Sequence, residues 1–142
     1  RDNPMPAGQE EATDWYPGDW VQWHGQEGPE WSFVDRRPSI RAVAGASGLR
    51  EQAEFPCRHF LLDHDQPGSG NPFDWSSLEN VQLPERWFLA GWLSAGNVVR
   101  AVRTLRPWAV DVSSGVECSP GVKSKEKIQD FISAVKRADD SA

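Results

Sequence analysis

Cysteine is scarce. Cys57 and Cys118 are the two in 142 residues, far apart and at no metal-ligand spacing. That is too few for a disulfide-stapled scaffold, so a reducing cytoplasm is expected. Long apolar runs are missing too. None approaches the roughly 20 residues that a membrane span needs, and the polar stretch Arg1–Glu11 lacks the apolar segment of a signal peptide. Basic residues are outnumbered, 15 Lys and Arg against 21 Asp and Glu, for a net charge of -6. Affinity for nucleic acid comes mainly from Lys and Arg, so neither nucleic acid nor membrane is an expected partner. Of the three histidines, His59 and His64 flank one apolar run with no Glu or Cys at ligand spacing, so no metal is expected. The initiator methionine is missing as well, since the chain starts at Arg1; a front end is expected to be absent.

What is present suits one α/β domain with a sizeable core. The eight tryptophans are many for the length, and packing is the plain reading of them. Residues 1–18 carry Pro4, Pro6, Gly8, Pro17 and Gly18 among acids and read as an irregular lead-in. Residues 19–138 read as the domain and 139–142 as a tail. Within the domain, short apolar runs alternate with helical patterns. Strands are expected at Asp19–Trp23, Ser39–Ala44, Arg58–Leu62, Trp87–Ala90 and from Trp108, the last as a buried strand. Short helices are expected at Pro29–Asp35, Leu49–Glu54 (after a break at Gly45–Gly48) and Phe73–Leu78. A longer helix, capped by Ser94, places Val98, Ala101, Val102 and Leu105 on one face. The last begins near Ser124 with Ile128, Phe131, Ile132 and Val135 on its stripe. Such alternation predicts a parallel sheet with right-handed crossovers.

In parallel α/β folds the reactive face lies at the C-terminal strand ends. His24, Asp63, Gly91 and Ser113 each end a strand and are expected on that side. Ser113-Ser114-Gly115, between the last strand and the last helical segment, is a small-residue turn rich in backbone donors, suited to a phosphate. Gly91 ends the strand before it, and small residues let the backbone approach oxygen atoms closely. These glycines serve equally well as plain turns, and the bulk of Trp92 crowds the place. Asp63, partly removed from water, suits a general acid; as an alternative it caps its own loop. His24 either contacts a substrate or is a structural histidine. Cys118 reads as a bystander. Lys123, Lys125, Lys127, Lys136 and Arg137 read mostly as a solvated helix face.

Several motifs then resemble one family. They are Leu61-Leu62-Asp63, Pro67-Gly68-Ser69-Gly70, Phe73-Asp74-Trp75, Leu89-Ala90-Gly91, Asn97-Val98, the run from Asp111 to Glu117, and Pro120-Gly121-Val122-Lys123. Val21-Gln22-Trp23-His24-Gly25 joins them, with Trp23 where Leu is usual. In order and spacing, over roughly residues 19–138, they resemble phosphoribosylanthranilate isomerase of tryptophan biosynthesis.

The resemblance implies a (β/α)8 TIM barrel, an Amadori rearrangement of a sugar phosphate, and no cofactor. It implies Asp63 as the general acid at the ribose ring oxygen. Gly91, Ser113, Ser114 and Gly115 would hold the phosphate, with Asp111 among the substrate-binding positions. Gly68 and Gly70 would lie in a loop that closes over the site, and His24 would line it. The family's base, a cysteine in a Lys-Ile-Cys-Gly type motif on strand one, has no counterpart here. Neither has the arginine-bearing second strand, and Trp92 stands where a second glycine is usual. A whole barrel of this kind takes about 200 residues or more. The expectation is therefore a partial barrel, strands four to eight, with the first three βα units missing. Such a truncated copy is expected to be inactive alone, and to self-associate or need an N-terminal fragment to complete the barrel. The alternative is a non-catalytic, phosphate-binding half-barrel or degenerate paralogue.

Overall fold

The computed structural model describes residues 18–31, 35, 37–63, 78 and 81–140. Five strands form one parallel sheet in chain order: β1 Val21–Trp23, β2 Ser39–Ala44, β3 His59–Asp63, β4 Phe88–Leu89 and β5 Ala109–Val110. Helix α1, Gly45–Glu51, follows β2; α2, Val98–Leu105, follows β4; and α3, Lys125–Asp139, ends the domain. A strand order that never reverses is what successive βα units give.

The register sorts the residues between two faces. Val43, Leu62, Leu89 and Val110 pair in a row across β2 to β5. Leu62 and Leu89 are fully buried there, and the core continues into Leu49 of α1, Val98 and Ala101 of α2, and Phe131 and Ala134 of α3. Side chains alternate along a strand, so Ala42, Leu61, Phe88 and Ala109 form the row on the opposite face. On that face, towards the N-terminal strand ends, His59 stacks on Trp20, Phe88 and Trp108 with ring centroids 5.6, 5.4 and 5.1 Å away. His59 Nδ1 lies 2.9 Å from the Arg86 carbonyl, so that nitrogen carries the proton.

Several expectations need correction. No break separates β2 from the next helix: α1 starts at Gly45, whose φ of +52° turns the chain within one residue. Gly48 then lets α1 lie on β2, since a Cβ there would stand 3.3 Å from the Val43 Cβ. At the other side of the sheet, β5 is short and half-buried, and Trp108 is exposed. Among the described strands β5 pairs with β4 alone. The segment from Ser113 to α3 is no simple turn. It holds a 3₁₀ turn, Ser114–Val116, and a hairpin of β6, Glu117–Ser119, with β7, Val122–Lys123. Pro120 and Gly121 make the hairpin turn, and Gly121 has the positive φ, +80°, that a type II turn demands.

α3 begins next to Ser124 as expected, and the Ser124 hydroxyl caps it by accepting from the Lys127 N–H. The buried stripe of α3 differs from the expected one: Phe131, Ala134 and Ala138 face the core, while Ile128 and Ile132 are exposed. The Ser94 hydroxyl does not lead α2; the Ser94 carbonyl accepts from the Asn97 and Val98 N–H groups instead. Of the helix expected at Pro29–Asp35, the bond from the Asp35 N–H to the Trp31 carbonyl spans one turn. Residues 73–77 of the expected Phe73–Leu78 helix lie outside the described residues.

Candidate active site

A cleft of about 270 Å³ opens at the C-terminal strand ends. Asp63 of β3, Ala90–Leu93 after β4, and Asp111–Gly115 after β5 line it. The parallel register explains the convergence. Each strand delivers its last residue to the same edge, so positions far apart in sequence meet there.

The loop after β4 is bent tightly. Gly91 and Trp92 both take left-handed backbone, with φ of +80° and +56°. A non-glycine residue costs about 1–2 kcal/mol in that region. Asn97 holds the bend: its amide donates to the Trp92 carbonyl at 2.8 Å and its side-chain oxygen accepts the Ser94 N–H at 2.8 Å. The loop after β5 presses against this bend. A Cβ at Gly115 would overlap the Leu93 carbonyl, so only glycine lets the two loops meet. The Lys123 ammonium secures the second loop from outside the cleft, donating to the Ser113 carbonyl and hydroxyl at 2.9 and 3.0 Å.

Asp63 keeps its side chain 40 % exposed, more open than the sequence implied. His24 Nε2 stands 3.7 Å from its carboxylate and is 67 % exposed. His24 thus lies beside Asp63 but is not among the residues lining the cleft. Its loop is held by Arg41, which is buried in β2. The guanidinium donates to the Gly25 carbonyl and to Glu27, each at 2.9 Å. Burial would raise the Glu27 carboxyl, but hydrogen bonds from its own N–H, the Gly25 N–H and Arg41 together hold it below the usual range.

The expected residues Asp63, Gly91, Asp111, Ser113, Ser114 and Gly115 are therefore brought together, with His24 at the margin. Gly68 and Gly70 lie outside the described residues. Asn97, Lys123, Glu117 and Arg41 have structural roles that the sequence reading missed. Lys123 in particular sits in β7, not on a solvated helix face. Both cysteines are free, and neither lines the cleft. Cys118 is exposed and donates to the Val122 carbonyl, while burial pushes the Cys57 thiol up. Among the described residues no group of three His, Cys, Asp or Glu side chains is placed to hold a metal, and no helix is long and apolar enough to cross a membrane.

The family model of N-(5'-phosphoribosyl)anthranilate (PRA) isomerase matches residues 10–134. The chain belongs to this family. A relative from Magnetococcus marinus, N-(5'-phosphoribosyl)anthranilate isomerase, is 44% identical over 130 residues, which cover 87% of this chain and 62% of the relative. The crystal structure of phosphoribosyl anthranilate isomerase from Thermus thermophilus superposes with a TM-score of 0.71 at 35% identity, over 84% of this chain and 61% of that one. A further isomerase structure, in complex with reduced 1-(o-carboxyphenylamino)-1-deoxyribulose 5-phosphate, gives a TM-score of 0.66 at 32% identity over 84% of this chain and 60% of that one. The chain thus spans about three fifths of the length of these relatives. Its parallel α/β sheet matches their TIM-barrel-like fold.

Proposed function

We propose that this chain forms the acid-supplying and phosphate-holding part of a PRA isomerase site, its sheet corresponding to strands four to eight of the barrel. One observation carries the proposal: a single cleft joins the Asp63 carboxyl to the Gly91 and Ser113–Gly115 backbone. At about 270 Å³ the cleft falls below the ~300–1,000 Å³ that buries a whole drug-sized ligand. It suits the phosphate-bearing end of the substrate, with the remaining walls contributed by the counterparts of the first three βα units. Those units would pair with β1 and β5, each of which has one partner among the described strands. They would also cover the exposed Trp20 and Trp108.

In this reading the phosphate docks on the small-residue turns and fixes the ribose over Asp63. The Asp63 carboxyl gives its proton to the ring oxygen as the C1–O bond breaks, and the anilino nitrogen pair moves in to form an iminium. A base then removes the C2 proton, the electrons of that bond neutralise the iminium, and the resulting enol settles to the ketone. The net change is an isomerisation with no cofactor. The base is not Cys57 or Cys118, because neither reaches the cleft. In this reading the base comes from the units that complete the walls, and turnover waits on them.

The test is complementation. The chain is mixed with the N-terminal βα units of a relative, and the loss of substrate fluorescence is followed. The mixture turns over, and Asp63→Asn lowers the rate on the order of 100-fold or more. An unchanged rate in the Asn variant, or turnover by the chain alone, overturns the assignment. A second reading, a half-barrel that binds phosphate without catalysis, is favoured by Trp92, which lines the cleft in strained backbone. It predicts phosphate binding with no turnover in any mixture.

A further inference from the structure

Behind the cleft, polar groups close a ring that none of these steps uses. The Lys123 ammonium bridges the Ser113 carbonyl and hydroxyl to Glu117 Oε1, which lies 2.6 Å from it. Glu117 Oε2 accepts the Gly121 N–H at 3.1 Å across the hairpin turn. The Lys127 ammonium donates to the Glu117 carbonyl at 2.6 Å. Donation by Lys123 holds the Glu117 carboxyl below the usual carboxylate range. Ser113 lines the cleft; Lys123 is not among the lining residues.

We infer that Lys123 is a positioning residue that sets the direction of the Ser113–Ser114 peptide and so makes this turn a receptor for a phosphate dianion. The inference rests on the phosphate reading of the cleft. Its basis is peptide geometry. This peptide is trans, and in a trans peptide the carbonyl and the following N–H point opposite ways. Drawing the Ser113 carbonyl towards the hairpin therefore turns the Ser114 N–H away from it. The backbone bond to that carbonyl, from the Val116 N–H, is 3.4 Å long, beyond the usual 2.7–3.2 Å range and so weak. Lys123 is thus the stronger hold. Without it the peptide is free to rotate, and a rotated carbonyl offers an anion a lone pair where an N–H stood. Lys123 is ion-paired with Glu117, so orientation rather than net attraction is what the lysine contributes.

Titrating the chain with inorganic phosphate, followed in ¹⁵N–¹H spectra, reads affinity and the individual amides together. Phosphate is expected to move the Ser114 and Gly115 amides of the unmodified chain. Lys123→Met is expected to weaken binding on the order of tenfold and to shift the Ser114 amide before phosphate is added. Lys123→Arg keeps a charged donor in reach of Ser113 and recovers most of the affinity. Glu117→Gln loosens the lysine, gives a smaller loss, and stands in if the Met variant does not fold. Equal affinity in the unmodified chain and in the folded variant overturns the inference and spares the phosphate reading. No phosphate-induced shift in the unmodified chain overturns both.

Discussion

His59 and Asp63 lie on the same strand and the same face, four residues apart, yet they live in different surroundings. His59 is buried under three rings, and its one placed N–H is spent on a backbone carbonyl. Asp63 stands open at a cleft between two bent loops. At the N-terminal strand ends aromatic rings carry the packing, and the one left-handed residue described there, Arg106, ends a helix. At the C-terminal ends Gly45, Gly91 and Trp92 bend the backbone into left-handed conformations, and the indole of Trp92 stands among mostly small or polar walls. A polar side chain buried under its neighbours is closed to a ligand, whereas one at an open rim can be reached. Burial, not residue type, divides the packed end of this sheet from the end that carries the proposed site.

Removing the support common to both ends has the largest expected effect. Leu62 lies between Leu61 and Asp63 in β3, fully buried, and its side chain points the other way into the helix-facing core. Leu62→Ala is expected to cost about 2–5 kcal/mol, measured by urea unfolding. The structural and the chemical end then fail together, because one strand carries both. A loss under about 1 kcal/mol would mean that the two ends do not share this core.

The structural end alone is tested by His59→Ala. An aromatic contact with a half-exposed ring, as Trp20 and Trp108 are, is worth about 0.5 kcal/mol beyond burial, so the three stacks and a hydrogen bond of about 0.5–1.5 kcal/mol to the Arg86 carbonyl together give a loss of about 2–3 kcal/mol. Phosphate affinity is expected to stay within twofold, since no residue of the ring cluster lines the cleft. A tenfold change in affinity at constant stability would erase the distinction between the ends.

The sheet was legible because each strand is a short apolar run closed by a polar or small residue. The convergence of Asp63, Gly91 and Ser113 followed from parallel strands sharing one direction. The hairpin was not legible. Glu117, Ser119, Val122 and Lys123 are exposed or half-exposed, so no apolar alternation marks them, and Lys123 looked like one of several lysines leading into a helix. In α3 the isoleucines advertised a stripe, but alanines pack closest: Ala134 and Ala138 are fully buried while Ile128 and Ile132 face outwards. Hydrophobicity reports what a side chain gains by burial, not which face has a neighbour near enough to bury it. Asn97 stood in a motif, but its role was not legible because it depends on the bend at Gly91 and Trp92, and the φ of Trp92 cannot be read from its identity.

Trp92 sharpens the comparison at the chemical end, with the smallest expected effect. Its left-handed backbone costs about 1–2 kcal/mol, which Trp92→Gly recovers. Against this, glycine enlarges the freedom of the unfolded chain, a loss of up to about 1 kcal/mol, and the indole, 48 % exposed, gives up its partial packing. The opposing terms nearly cancel, and the urea midpoint is expected to move by no more than about 1 kcal/mol equivalent. The cleft, however, loses its bulkiest wall, so phosphate is expected to bind more tightly or more quickly while stability stays put. A destabilisation of about 2 kcal/mol or more would instead show that the indole packs as a core residue, and that strain at this rim is maintained for folding rather than for the site.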